Sequence, residues 1–359
     1  MTYTISMRTP PPPFLFPESV RMNSVGIDIS DQSIKYVKLG RGFSVEKYGE
    51  IKLPQGVITG GTVVDSKRLV EILRDISKRE KIHFVRASLP EEHVYLYRSV
   101  LSADPAHARE AIEISLEEHI PLPATEIVFD FEIVEVTEKN TTVQVSAVSS
   151  NIAENYSKIF IDAGMVPVAL ELEAEAVARA VSDQNKNEVS MVIDFGGTRT
   201  GISVVCGTSV LFTSTIPLGG STLTDLIAKD FKVSIEEAEN LKRAYGLVRN
   251  SEKDVFSTLL SGVSVLRDEI NKNFIYWHTH PDETGKERPK ISSIYLSGGD
   301  SNLKGLPEYL SASLKVEVKC ANVWVNMFDI NKNVPVISFA DSLGYATAIG
   351  LALGESYYE

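Results

Sequence analysis

Residues 191–205 read MVIDFGGTRTGISVV, and residues 25–37 read VGIDISDQSIKYV. Each stretch is a β-rich apolar run that ends in an acid, Asp194 or Asp28. Each then turns through small or polar residues and returns as a second β-rich run. Self-similarity of this kind points to two related half-molecules that face each other. Outward from the second copy, Ile291 to Leu296 form another apolar run, followed by Ser297-Gly298-Gly299-Asp300. Two hairpins with anion-gripping turns and a later Gly-Gly turn imply a nucleotide held between two lobes.

The turn chemistry supports that implication. A triphosphate needs backbone N–H donors in a tight turn and a divalent cation. Gly196-Gly197-Thr198 offers a flexible turn and a hydroxyl, and Gly lets its amide approach a phosphate unobstructed. Ser30-Asp31-Gln32-Ser33 offers the same geometry with fewer glycines. Asp28 and Asp194 place two carboxylates at the cleft mouth, suited to holding Mg²⁺ through water. Lys35 lies on the return strand within reach of a phosphate, and Thr200 opens the equivalent return strand. Taken singly, Asp28, Lys35 or Asp194 reads as an ordinary turn residue; the paired arrangement, followed in order by Gly298-Gly299, favours the phosphate site. The strand, Gly298-Gly299 and Asp300 lead into a helix N-terminus that faces an anion or nucleoside. Glu239 and Lys242 stand one helical turn apart and read equally as a surface ion pair.

Around these motifs the chain alternates as α/β. Strands are expected at Val25–Ile29, Ile34–Leu39 and Ser44–Leu53, a helix at Asp65–Glu80 with a stripe of Leu69, Ile72, Leu73 and Ile76, and a strand at Phe84–Leu89. A strand, a helix and two more strands then form a separate α+β unit at 91–149. Asn151 and Glu154 read as a capping box for the next helix, and Ser234 with Glu237 as another. A strand at Pro167–Leu172 and a helix at Glu173–Val181 complete the first half. The polar run Asp183–Glu188 reads as a hinge. The second half continues with helices at Ser221–Phe231, Ser234–Tyr245 and Asp254–Trp277, and closes with helices at Leu303–Leu314 and Phe339–Leu353.

Composition sets outer bounds. The 359 residues fit about two to three domains. A net charge of −12 argues against a general nucleic-acid binder. The two cysteines, Cys206 and Cys320, lack metal-ligand spacing and read as buried free thiols of a reducing compartment. Prolines at 10–13 and 17 interrupt the apolar Phe14–Phe16, so residues 1–22 read as a mobile extension rather than a signal peptide. The apolar run Leu343–Leu353 is too short to span a bilayer. A cytoplasmic or peripheral protein is expected.

The set Ile27-Asp28, Ile193 to Thr198 and Ser297-Gly298-Gly299 resembles the actin, Hsp70 and sugar-kinase superfamily. Within it the chain is similar to the type IV pilus assembly protein PilM family, through Ile216-Pro-Leu-Gly-Gly220, Glu236 to Glu239 with Lys242, Gly305-Leu306 and Tyr345 to Ala352. The resemblance implies an actin-like ATPase fold, two RNase H-like lobes around a nucleotide cleft. Residues 23–90 and 150–184 would form the first lobe, 188–227 and 290–359 the second, and 228–289 a helical subdomain. Residues 91–149 would form the inserted 1C subdomain shared with the cell-division protein FtsA.

Asp28, Ser30, Gln32, Ser33 and Lys35 would line the first phosphate loop, and Asp194, Gly196, Gly197, Thr198 and Thr200 the second. Glu239 and Lys242 would contact the ribose and adenine edge, Gly298, Gly299 and Asp300 the adenosine, and Glu171 would orient water. ATP with Mg²⁺ is the implied ligand, with at most slow hydrolysis. The implied partner is the cytoplasmic tail of a PilN-like inner-membrane protein, bound between the first lobe and 1C; self-association is also allowed.

Two departures stand out. Ser30 replaces a usual Gly, and Asp31 places a negative charge beside the phosphates, a repulsion of about 4 kcal/mol for an unscreened pair 4 Å apart near a surface. Three alternatives remain. An FtsA-like division protein is disfavoured because Leu353–Glu359 carries no basic amphipathic tail. A small-molecule kinase needs a base on an acceptor hydroxyl. A type II secretion GspL-like protein would carry a transmembrane helix.

Overall fold

The structure, a computed structural model, describes residues 24–102, 104–137, 140–249, 254–282, 285–330 and 333–354. The proline-rich extension at 1–22 and the final residues 355–359 lie outside them. The first lobe begins with the meander β1 (Val25–Ile29), β2 (Ser33–Leu39) and β3 (Val45–Lys52). A two-residue-per-strand hairpin follows, β4 (Ile58–Thr59) and β5 (Thr62–Val63), too short to show in the pattern. Helix α1 (Ser66–Glu80) is capped by Asp65, which accepts from the Arg68 amide, and buries Leu69, Leu73 and Ile76. Strand β6 (Phe84–Leu89) leads into the inserted unit: β7 (Val94–Leu101), α2 (Ala108–His119), β8 (Ile127–Val136) and β9 (Thr141–Ser149). The first lobe resumes with α3 (Ser150–Asp162), β10 (Val166–Leu172) and α4 (Glu173–Val181).

The second lobe comprises β11 (Val189–Phe195), β12 (Thr200–Cys206), β13 (Ser209–Ile216), α5 (Gly220–Phe231), α6 (Ile235–Tyr245) and α7 (Val255–Thr279). It continues with β14 (Ser293–Ser297), α8 (Leu306–Leu314), β15 (Val318–Cys320), α9 (Phe339–Ser342) and α10 (Ala346–Leu353).

The two main sheets have the same design. Their orders are β10-β6-β1-β2-β3 and β15-β14-β11-β12-β13. In each, the first three neighbours run parallel and the last three form an antiparallel meander. The inserted sheet has the order β7-β9-β8, with α2 packed against it. Each lobe has its own apolar core, and a third core lies between them. That shared core is built from α4, α10 and the fully buried Trp324. Helix α10 packs on β1 as well as on α4. Two glycines permit this: a Cβ on Gly26 would overlap the Ala348 carbonyl, and one on Gly350 the Ala176 carbonyl.

Some elements differ from the sequence expectation. Helix α3 starts at Ser150 rather than at a capping box; Asn151 and Glu154 lie inside it, and Ser149 sits at the cap without a side-chain bond. The helix expected across Phe339–Leu353 breaks into α9 and α10 at a 3₁₀ turn, Leu343–Tyr345. The Leu343 carbonyl accepts from the Gly298 amide at 3.0 Å, which ties the break to the Gly-Gly turn. Cys206 and Cys320 are free but only half-buried. Among the described residues, no helix is long and apolar enough to cross a membrane.

Candidate functional site between the lobes

The two hairpins present matching turns to each other. Asp28 pairs in register with Lys35 across β1 and β2, and Asp194 with Gly201 across β11 and β12. The Ser30 amide donates to the Ser33 carbonyl at 2.9 Å, and the Gly196 amide to the Arg199 carbonyl at 3.0 Å. Ser30 therefore occupies the place of Gly196. Its hydroxyl folds back into its own turn, accepting from the Ser33 amide at 3.2 Å. Asp31 is likewise engaged within the protein. Its oxygens accept from the Gly60 and Gly61 amides at 3.0 Å each, and Arg199 lies 3.8 Å away. These donors offset the repulsion expected of Asp31 toward phosphate. Gln32 lies directly over Gly197, where a Cβ would displace it, so the turns of the two lobes touch.

Asp28 and Asp194 form the charged centre. Burial pushes the Asp28 carboxyl up, with Lys35 and Arg199 pulling it back and the Ser88 hydroxyl donating to it at 3.2 Å. Burial and the charge of Asp28 push Asp194 up to about 6. The two carboxylates repel each other across the lobes. The described residues contain no group of three His, Cys, Asp or Glu able to ligate a metal directly. Lys35 stands 3.9 Å from Glu50 and over the Tyr345 ring at 5.9 Å.

The second lobe buttresses this centre. The Gly220 and Ser221 amides, at the start of α5, donate to the Gly196 and Gly197 carbonyls at 2.9 and 2.8 Å. Gly298 adopts φ +94°, and its missing Cβ lets it lie against the Phe195 backbone. The Asp300 amide donates to the Phe195 carbonyl at 3.1 Å. Glu239, Lys242 and Asp300 form one network, and Lys242 is buried rather than part of a surface pair. Its ammonium lies 2.6 Å from Asp300 and 2.8 Å from Glu239, and donates to the Gly220 carbonyl at 3.1 Å. Burial raises Glu239, but hydrogen bonds from Lys242, Thr224 and Arg243 outweigh it and hold its carboxyl at about 2. Burial pushes Asp300 up despite Lys242.

Two expected residues are occupied elsewhere. Thr200 is fully buried and donates to the Leu218 carbonyl at 2.6 Å, tying β12 to the loop before α5. Both oxygens of Glu171 are held by buried arginines, Arg86 at 2.8 Å and Arg179 at 2.7 Å. These outweigh burial and keep its carboxyl below the usual range. Both oxygens of this buried carboxylate are thus committed to arginines of the interior.

Three other residues carry no role in the sequence reading. Glu173, at the start of α4, feels Asp28, Asp194 and Glu91; burial and these charges push it well above the carboxylate range, against Arg199. Arg199 pairs with Glu173 and Glu92 at 2.8 Å each. Burial pulls the guanidinium down, and the surrounding acids more than restore it. Glu91 accepts from the Ala174 amide at 3.3 Å, capping α4. A cleft lined by Glu91, Glu173, Asp194, Arg199 and Thr215 opens beside these groups. The visible signal was Arg199 itself, a long cation inside a Gly-Gly turn.

Known proteins share this architecture. The cell-division protein FtsA of Neisseria meningitidis serogroup B is 28% identical over 199 residues, 50% of this chain and 48% of that protein. The chain thus spans about half the length of that curated relative. A solved PilM-PilN type IV pilus biogenesis complex superposes with a TM-score of 0.77 at 23% identity, covering 93% of this chain and 99% of that one. MreB5 of Spiroplasma citri bound to AMPPNP gives 0.58 at 13% identity, covering 94% and 97%. These likenesses establish the actin-like fold. The family model for the type IV pilus assembly protein PilM matches residues 26–356, from β1 through α10, and the chain belongs to that family.

Proposed function

We propose that the chain is an ATP-binding scaffold of a type IV pilus inner-membrane platform. It docks the cytoplasmic N-terminal tail of a PilN-like protein between the first lobe and the inserted β7-β9-β8 sheet, linking pilus motor to fibre assembly. It works on the cytoplasmic face and is held at the membrane through that partner. The observation that carries the nucleotide half is the pair of matched hairpins with Asp28 and Asp194 at equivalent positions. Family membership and the likeness to the PilM-PilN complex support the partner half.

The turns at Ser30–Ser33 and Gly196–Thr198 hold the polyphosphate, and Lys35 balances its charge. Asp28 and Asp194 would hold Mg²⁺ through water, and the cation would supply neutralisation of phosphate charge. Gly298, Gly299 and the Glu239–Lys242–Asp300 network face the nucleoside. Glu173 replaces Glu171 as the acid that orients water, and turnover is slow. ATP then acts mainly as a conformational ligand, favouring the state it binds more tightly.

The test is fluorescence anisotropy of a labelled peptide matching the PilN-like tail from the same genome, titrated with the full chain. Saturable one-to-one binding is expected. Absence of peptide binding together with phosphoryl transfer to sugars would replace the scaffold with a kinase. Polymerisation and vesicle binding without peptide binding would favour the FtsA-like reading that the curated relatives raise.

A further inference from the structure

One guanidinium joins three parts of the molecule. Arg199 sits inside the Gly-Gly turn of the second lobe, between Thr198 and β12. It reaches Asp31 in the turn of the first hairpin at 3.8 Å, and Glu173 at the start of α4 at 2.8 Å. It also reaches Glu92 at 2.8 Å. Glu92 lies in the 3₁₀ turn Glu91–His93, the root from which β7 and the inserted subdomain depart. The neighbouring Glu91 caps α4, and Ser146 of β9 donates to Glu175 of the same helix at 3.3 Å. The subdomain root is thus bound to α4 directly and to the phosphate turns through Arg199. The Arg199 side chain is 13% exposed, so these pairs are poorly screened by solvent.

We infer that Arg199 is a positioning residue through which the phosphate turns and the inserted subdomain act on each other. This rests on the nucleotide and partner reading above. A polyphosphate at the Gly196–Thr198 turn carries more charge than any one of the three carboxylates that face Arg199 and competes with them for the guanidinium. Arg199 drawn toward phosphate leaves Glu92, and the root of the subdomain loosens. The tail groove beside that root then accepts its peptide more readily. Linkage makes the effect reciprocal: bound tail raises nucleotide affinity by the same factor.

The experiment measures peptide affinity with and without saturating Mg²⁺ and a non-hydrolysable ATP analogue, in wild type, Arg199→Met and Glu92→Gln. Wild type should bind the peptide at least about fivefold tighter with the analogue, the lower end of ordinary coupling. Arg199→Met should still bind the peptide, but with a ratio near one. Glu92→Gln lacks the carboxylate that Arg199 leaves. Its peptide affinity without nucleotide should equal that of nucleotide-loaded wild type, a result a merely structural role does not produce. Glu92→Gln also keeps the test open if Arg199→Met fails to fold. Wild type that binds both ligands with a ratio of one overturns this inference alone, as does a folded Glu92→Gln that keeps the wild-type ratio. Wild type that binds neither ligand overturns the scaffold reading and this inference with it.

Discussion

Substituting Glu171→Gln separates a structural acid from a catalytic one. Glu171 is buried and receives Arg86 on one oxygen and Arg179 on the other. Removing one partner of a buried ion pair costs about 3–5 kcal/mol, because the remaining charge stays out of water. Glutamine keeps an oxygen for one arginine, and Arg179 keeps its bond to the Gly350 carbonyl at 2.7 Å. The lower end, about 3 kcal/mol, is therefore expected. For a chain of 359 residues, with an unfolding entropy of about 2.1 cal/mol/K per residue, that corresponds to a fall in melting temperature of roughly 4 °C.

The pH dependence has a definite sign. The folded state holds the Glu171 carboxyl below its usual range, so its stabilisation is present above the unfolded value and fades as pH falls through the folded one. The gap between wild type and variant should accordingly be full at pH 7.5 and shrink in acid. Thermal melts across pH, followed by the fluorescence of Trp277 and Trp324, give both quantities. Nucleotide turnover on the folded variant should match wild type. A variant that melts with wild type yet loses turnover would show that Glu171 acts on water, and the reasoning from its ion pairs would fail.

Other outcomes follow from the same geometry. Asp194→Asn removes a carboxylate that burial and Asp28 push up to about 6. The charged acid costs stability above that pH, so the variant should gain most in melting temperature near pH 8 and least near pH 5, while Mg²⁺-dependent nucleotide binding weakens. Gly350→Ala places a methyl group against the Ala176 carbonyl and should destabilise by about 1–3 kcal/mol, read by urea unfolding. Lys242→Met leaves Glu239 and Asp300 without their shared cation. It should weaken nucleotide binding about tenfold or more, by calorimetry, and leave tail-peptide affinity without nucleotide unchanged.

Much of this fold is legible because the repeated unit is local. An apolar strand, an acid, a small turn and a return strand need only about fifteen residues to declare themselves, and the Asp65 and Ser234 caps mark their helices within four. The inserted unit shows as a run of strands interrupting an alternating pattern. Short pieces such as β15 carry too few residues for any periodicity. Ser149, Ser150 and Asn151 offer competing helix starts, and only packing chooses among them.

The site is legible in its turns and not in its ion pairs. Asp31, Glu92, Glu173 and Arg199 are far apart in the chain and meet only after both lobes close. Glu171 and Glu173 stand two residues apart at a strand-to-helix boundary. Their fates diverge because one faces Arg86 and Arg179 in the interior and the other faces Arg199 beside the cleft. Ser30 and Asp31 looked hostile to phosphate because the sequence does not reveal that one closes its own turn and the other binds Gly60 and Gly61.

Calorimetric titration of the full chain with Mg²⁺ and a non-hydrolysable ATP analogue tests the nucleotide cleft most directly, with Asp28→Asn/Asp194→Asn as the paired variant. One saturable site is expected in wild type, lost or weakened at least tenfold in a variant that melts no lower than wild type. Equal binding by both proteins, or none by wild type, would contradict a nucleotide site built on the two matched hairpins.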